Sequence, residues 1–440
     1  MLLVLLACGL SSEPTASSPP PTPAGGQPPG SATPGGPGAP PHPPPPGLDP
    51  SVSGIKLQDP SGFPPFHDLP APQGPSPDAA GGAASPTTLG ARPEGGYRPQ
   101  VAVGADGRLH AVYYDRVSEG EIVRYRSSTD GLSWSSPETV SFPEGRNWGP
   151  DLVVREDGSV VVAFDHMNED LSSRGWVRIR DAAGRWQEPE PVTPDNGWEI
   201  GSGHVANTVG DGLVYVYISK PLDPSQRFRA YGSLRGPGGW STPEPLTDGQ
   251  QDTWHSNVER RPDASFIAGY DIGQGGMETT LYLVNSEGGR FGRPENVSAS
   301  GRPGERPNFA FLGGLDVVTW FHKVGGLPTR VYVRRGRPGA WGAVEEPSSG
   351  IGGFHFDPDI AVNAAGVWCL VWGWDAGNDA ELVYSLDRGQ GWSRPRKVAE
   401  IDWGKPGLPS VESAPDGSFH VVWNQGVRGQ NEVYHVKLGG

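Results

Sequence analysis

Proline recurs at a fixed interval through the C-terminal three quarters of the chain, at Pro99, Pro150, Pro307, Pro358 and Pro409, and three of these intervals are 51 residues each. Two further members of the series are predicted without proline, at Ala206 and Ser256, with the second-to-third interval stretched to 56 residues. A unit of about fifty residues written seven times constrains the fold more than any other feature. A repeat of that size is one supersecondary unit, and it buries its apolar face only by stacking on its neighbours.

Each unit reads as short strands. In the first, residues 98–103 and 109–114 flank an Ala105-Asp106-Gly107 turn, residues 121–126 alternate as a third strand, and residues 137–140 begin a fourth. Asp157-Gly158, Asp211-Gly212, Gly313-Gly314 and Asp416-Gly417 repeat that turn, and no helical period competes. Third-strand runs such as Trp176-Val177-Arg178-Ile179 and Arg330-Val331-Tyr332-Val333 carry the β-branched and aromatic residues that suit a pleated, half-buried surface. Four strands per unit and seven units predict an all-β chain folded as a seven-bladed β-propeller of four-stranded antiparallel blades.

The way the ring closes is also predicted. An aromatic follows the third strand in six units, at Trp134, Trp186, Trp240, Phe291, Trp341 and Trp392, and a seventh would fall near position 443, past Gly440. Ser85-Pro86-Thr87-Thr88-Leu89 matches Ser136-Pro137-Glu138-Thr139-Val140 at an offset of 51. The N-terminal segment is therefore expected to supply the fourth strand of the last blade, which removes the open sheet edges of an unclosed array. The propeller then occupies residues 85–440.

Residues 9–84 are rich in Pro, Gly, Ser and Ala. Such a composition buries too little apolar surface to offset chain entropy and is expected to form a disordered tether. Residues 1–8 form an apolar run ending at Cys8. Leu5-Leu6-Ala7-Cys8 resembles the end of a bacterial lipoprotein signal peptide, which implies cleavage before Cys8, lipidation of its thiol, export, and a lipid anchor at the cell envelope, in the outer membrane or at the cell surface. The segment departs from that family in having no basic stretch before the apolar run. Cys369, within Val367-Trp368-Cys369-Leu370-Val371, reads as a small buried hydrophobe. No run of eighteen apolar residues spans a bilayer. The net charge of −15 argues against nucleic acid as a partner. The chain is expected to act as a monomer without a cofactor, and no metal-ligand spacing stands out, Asp357-Pro358-Asp359 being the nearest.

Ser385-Leu386-Asp387-Arg388-Gly389-Gln390-Gly391-Trp392 fits S-x-D-x-G-x-x-W, and Ser128-Thr129-Asp130-Gly131-Leu132-Ser133-Trp134 is the same pattern one residue short. With the fifty-residue period around them, these resemble the Asp boxes, or BNR repeats, of sialidase-like propellers. Physically the box is a turn device: the aspartate accepts backbone N–H bonds, glycine takes a left-handed φ, and Trp packs between sheets. Ser128, Asp130, Trp134, Ser385, Asp387, Gly389 and Trp392 are accordingly structural, and the resemblance places them on the face away from the ligand.

On the other face, the segments entering the first strands carry Arg98, Trp148, His204, Trp254, His255, Arg306, His355 and Trp403. The residue after each proline or its equivalent is polar: Gln100, Asp151, Asn207, Asn257, Asn308, Asp359 and Ser410. These predict a polar ring at the channel mouth, which either ties neighbouring strands together or contacts a ligand. Aromatic faces beside planar hydrogen-bonding groups are what a sugar ring requires. Arg98, Asp151, His204, Trp254, His255, Arg306, His355 and Asp359 are therefore the ligand-binding candidates, for a glycan or a cell-envelope protein.

The resemblance also implies enzymatic alternatives. Sialidases use three arginines, the first in an Arg-Ile/Leu-Pro motif, with a tyrosine nucleophile and a carboxylic acid. Arg98-Pro99 and Arg306-Pro307 lack the middle aliphatic residue, so that catalytic set is not carried over. A polysaccharide lyase with an imidazole base and an arginine on the substrate carboxylate is the second option, and a scaffold in an envelope assembly a third.

Overall fold

The computed structural model describes residues 77–78 and 85–439, apart from 91–95, 119, 224, 275–276, 299–303, 323–328, 378, 402 and 428–429. All of these belong to a compact unit spanning Asp49–Gly440. Cys8 and most of the expected tether lie outside the described residues.

The described residues contain strands and turns and no helix. The strands are arranged as antiparallel meanders in sequence order. Gly96–Val103, Leu109–Val117 and Gly120–Ser128 form the first; Gly145–Val154, Val160–Met167 and Ser173–Arg180 form the second. These two share one eight-stranded sheet because a short parallel contact, Gly120↔Gly145 and Glu121↔Arg146, bridges them. The remaining meanders start at Trp198–Asn207, Asp252–Arg260, Glu305–Leu312, Phe354–Val362 and Lys405–Ser413, each in its own sheet.

Closure is as the sequence offset predicts. Thr87–Gly90 lies antiparallel to Gln430–Leu438, with Thr87 opposite His435 and Thr88 opposite Tyr434, and completes the sheet begun by Lys405–Ser413. The fourth strands are often shorter than expected, two residues at Glu138–Thr139 and Arg396–Lys397. Along the latter, the Asp78 N–H donates to the Pro395 carbonyl (3.0 Å) and the Lys397 N–H to the Asp78 carbonyl (2.9 Å). One point of the expected tether is thus an added edge partner of a sheet.

The core is divided among the seams between meanders. Val112, Tyr114, Val123 and Tyr125 of the first meet Trp148, Leu152, Val162 and Phe164 of the second, and comparable clusters fill the other seams. Cys369 is fully buried in one of them. The aromatic that follows the third strand spans the seam and ties it electrostatically. Trp186 Nε1 donates to Glu138 Oε2 of the preceding meander (2.7 Å), and Arg180 pairs with the same carboxylate at 3.2 Å. Trp392 Nε1 donates likewise to Glu345 Oε2 (2.8 Å).

The two box turns close as their residue types require. Asp130 Oδ1 accepts the N–H groups of Leu132 and Ser133 (2.8 Å each), and Ser128 Oγ accepts that of Gly131 (2.9 Å). Asp387 Oδ1 accepts from Gly389 and Gly391 (2.8 and 3.0 Å), while Ser385 Oγ donates to the Ser393 carbonyl (2.7 Å). Strand register puts Ser128 opposite Leu109, at the end of the meander remote from Arg98.

Glu138→Ala is expected to cost about 1–2 kcal/mol, mostly by orphaning the Trp186 indole N–H, since the half-exposed ion pair contributes little. Urea unfolding checks this, and Glu138→Gln, which keeps an acceptor, should cost less.

Candidate functional site

Every innermost strand carries a register shift near the same height, between Tyr97 and Gln100, Trp148 and Asp151, Gly201 and His204, Glu305 and Asn308, Phe356 and Asp359, and Gly407 and Ser410, and one residue earlier in the fourth, between Thr253 and Ser256. Within the bulge the chain turns left-handed, with φ of 47° at Arg98, 59° at Gly149, 51° at Ser202, 55° at Arg306, 50° at Asp357 and 47° at Leu408. Holding a non-glycine residue there costs on the order of 1–3 kcal/mol. Because Leu408 adopts it as readily as the arginines, the bulge belongs to the fold, and the side chains use it.

The bulge is held by second-strand side chains of its own meander and of the preceding one. Asp271, fully buried on a second strand, accepts the N–H groups of Trp254 and His255 on Oδ1 (3.2 Å each), His255 Nδ1 at 2.7 Å on Oδ2, and the Arg306 N–H at 3.1 Å. Asn424 Oδ1 accepts the Arg98 N–H in the same way (3.4 Å). Asp165 occupies the equivalent place, with Tyr215 Oη donating to it at 3.2 Å, and burial pushes its carboxyl up to about 7. Gly203 is required beside it, since a Cβ there would stand 1.9 Å from the Tyr215 hydroxyl.

The bulges and the strand segments after them enclose a cavity of about 450 Å³. Arg98, Asp151, His204, Trp254, His255, Arg306 and Asp359 all line it. His355 does not. It is fully buried, accepts the Trp372 indole N–H on Nδ1 (3.0 Å), and burial lowers its pKa to about 3. His166, another histidine of these loops, is held by Asn147 Oδ1 at 3.0 Å and the Phe142 ring.

The ring itself needs one correction. In the third unit the bulge precedes His204, which lies opposite Val216 as Gln100 lies opposite Val112, so the ring residue is His204 and the proline equivalent is Gly203. The expected Asn207 and Ala206 stand three residues further along. The ring is then Gln100, Asp151, His204, Asn257, Asn308, Asp359 and Ser410.

Much of the ring ties strands together. Asp151 Oδ2 accepts the Val205 N–H (2.8 Å), Asp359 Oδ2 the Val411 N–H (2.8 Å) and Ser410 Oγ the Val101 N–H (3.2 Å). Asn257 and Asn308 donate from Nδ2 to the carbonyls of Pro307 (3.1 Å) and Pro358 (2.7 Å).

Charge is layered along the cavity. Two residues before the ring stand Arg98, His255, Arg306 and Asp357, and Arg306 Nε lies 3.2 Å from Asp357 Oδ1. Burial and the like charge of Arg306 lower the Arg98 pKa, which places the two guanidinium groups within each other's field. Two residues after the ring stand Glu259 and Glu412, found by the alternation of a strand rather than by any motif. Burial, reinforced by the neighbouring carboxylates, pushes Asp359 and Glu412 up to about 7 and Glu259 well above its usual range. Among the described residues no group of three or more His, Cys, Asp or Glu is placed to hold a metal ion.

No protein-family model matches the chain, and a search of curated proteins gives no match. Among solved structures it is similar to a Dyadobacter fermentans protein of unknown function, with 13% identity and a TM-score of 0.50 over 81% of this chain and 98% of that one. It is equally similar to Penicillium chrysogenum α-L-arabinanase complexed with arabinobiose, with 11% identity and a TM-score of 0.50 over 82% and 99%. Trypanosoma rangeli sialidase in complex with sialic acid shares 12% identity at a TM-score of 0.48, over 83% of this chain and 60% of that one. At such identity the likeness is one of fold, a β-propeller of antiparallel sheets.

Two outcomes test the site's electrostatics and support. Asp271→Ala should destabilise the fold by about 2–4 kcal/mol, because the amides of Trp254, His255 and Arg306 lose a buried acceptor, and thermal unfolding checks it. Glu412 has a folded pKa above its unfolded value, so it subtracts stability as pH rises from about 4.3 through about 7. Glu412→Gln should therefore stabilise the protein at pH above about 7 and leave it unchanged near pH 4, as read by urea midpoints across pH.

Proposed function

We propose that the channel mouth binds a carboxylate-bearing saccharide, with Arg98 and Arg306 taking the acid and Trp254 offering its ring to the sugar. One observation carries this reading: two arginines more than two hundred residues apart in sequence both line one cavity. Asp357 already balances part of this charge at Arg306, and a substrate carboxylate would add a further acceptor for the two guanidinium groups. The arabinanase of the same fold was solved with a disaccharide, which supports a saccharide here by analogy of fold alone.

Titration calorimetry with a uronate-containing oligosaccharide and its carboxyl-reduced counterpart tests the reading. Arg98→Ala and Arg306→Ala are each expected to weaken binding roughly 10- to 100-fold, the cost of a charge-assisted hydrogen bond. Equal affinity for the reduced sugar would overturn it. Co-purification of an envelope protein that ignores both substitutions would favour a scaffold instead.

A catalytic reading is favoured by the His255–Asp271 pair. Asp271 occupies Nδ1 of His255 at 2.7 Å, and Nε2, a buried atom of a residue that lines the cavity, has no protein hydrogen-bond partner. Burial lowers the His255 pKa, so the imidazole is neutral at neutral pH and able to accept a proton. In a β-elimination Nε2 would take the proton from the carbon beside the substrate carboxylate. That C–H electron pair forms the double bond, the glycosidic C–O bond breaks, and the departing oxygen leaves with a proton from solvent or a second imidazole. For a sialidase route, no tyrosine is among the described residues lining the cavity. Appearance of an ultraviolet-absorbing unsaturated uronate, lost in His255→Ala, would establish the lyase.

We also propose that the chain is an exported lipoprotein held at the cell envelope through Cys8, with residues 9–84 as spacer, on the strength of Leu5-Leu6-Ala7-Cys8 and the composition that follows. Cys8→Ser is expected to move the protein to the soluble fraction and abolish fatty-acid labelling. Continued membrane fractionation of that variant would refute the anchor.

A further inference from the structure

The seam where the last meander meets the first differs from the others in what fills it. Across the seams, one third-strand residue packs towards the next meander. It is Val177 opposite Ala163, Leu283 opposite Gly269, and Val333 opposite Thr319. At Gly232, opposite Val216, the Phe291 ring fills the place, and Tyr125 and Tyr384 fill theirs with phenol rings. In the last meander the same place holds His435, opposite Val422.

His435 is 1% exposed and His420, beside it on the second strand, 4%. Their imidazoles share one hydrogen bond, Nδ1 of His420 to Nε2 of His435 at 2.9 Å, with ring centroids 5.2 Å apart and nearly parallel. Trp134 of the first meander sits edge-on to His435 at 5.2 Å, as Trp186 sits on Tyr125 one seam later. Gly131 is fitted against the pair, since a Cβ there would lie 2.7 Å from His435 Cε1. On its far side His435 is opposite Thr87 of the closing strand.

The groups around the pair leave it little to compensate a charge. Lys437 and Asp416 are paired with each other at 2.6 Å near the surface, and Ser418 Oγ lies 3.4 Å from His420 Nε2. The first meander presents Leu109, Trp134 and Gly131, whose backbone favours the protonated form of His435 less than burial opposes it, and the Asp130 carboxylate of that turn is engaged by Ser128, Leu132 and Ser133. The closing strand presents Thr87.

We propose that this seam is an acid-sensitive latch. When both imidazoles take up protons, neither can accept the hydrogen bond between them, two like charges face each other beneath Trp134, and Thr87–Gly90 with the last meander parts from the first. Burial lowers His420 to about 4 and His435 to about 3. Both folded values lie below the unfolded one of about 6.5, so closure is at full strength above that pH and is lost as pH falls from there towards about 4.

Hydrogen exchange, corrected for intrinsic rate, is measured on the full chain at neutral pH and near pH 5. The expected result is that peptides from residues 87–90 and 430–438 lose protection in acid while those from residues 213–221 keep it. His420→Val with His435→Val copies Val161 and Val177 of the second meander, and it should move the acid midpoint of near-ultraviolet circular dichroism down by about one pH unit. His435→Tyr, which reproduces the His110–Tyr125 arrangement of the first meander, serves if the double variant folds poorly and should shift the midpoint in the same direction. Loss of protection in step across the whole propeller, or a wild-type acid midpoint in the folded variants, would overturn the latch.

Discussion

A bulge in each innermost strand, left-handed in all but the fourth and held by second-strand side chains of its own or the preceding meander, is the constraint on which the site depends. A strand alternates its side chains, so a slip of one residue moves each from one face to the other. The bulge inserts that slip near one height around the channel. Residues within it form the rim with Arg98 and Arg306, and residues after it form the ring and the carboxylate layer below. Asp271 and Asn424 hold the conformation by accepting the amides that the bulge frees from the ladder. The rim is therefore set by second-strand residues of neighbouring sheets rather than by the loops alone.

The same division between shared scaffold and local difference runs outward. Each meander is too small to bury its own faces, and the seams supply the burial: valines and aromatics interdigitate, and the tryptophan after the third strand reaches the preceding sheet's glutamate. Ion pairs such as Arg180 with Glu138 orient these contacts more than they stabilise them. Where a seam departs from this plan, as at His420 and His435, buried imidazoles replace apolar side chains, and the departure coincides with the point at which the chain closes on itself.

How much was legible in the sequence differs residue by residue. The closing strand was legible because Ser85 to Leu89 repeats Ser136 to Val140 at the period. His204 was recognised as a candidate but its ring position was not, because the third unit lacks the proline and its spacing shifts the bulge by three residues. His355 belongs to the core rather than the channel: a histidine near a strand start looks alike in sequence in either place, and Trp372 takes it inward. Glu259 and Glu412 are not legible in the sequence, since a single glutamate on a strand carries no motif.

The period, the turn residues and the strand patterning are local properties, repeated often enough that the chain by itself determined the all-β repeat architecture, the closing strand and the structural role of Asp130 and Asp387. Which side chains meet across the channel was decided only by tertiary structure. Arg98 and Arg306, or His420 and Trp134, are brought together by closure of the ring over hundreds of residues, and no spacing along the chain records a distance across it.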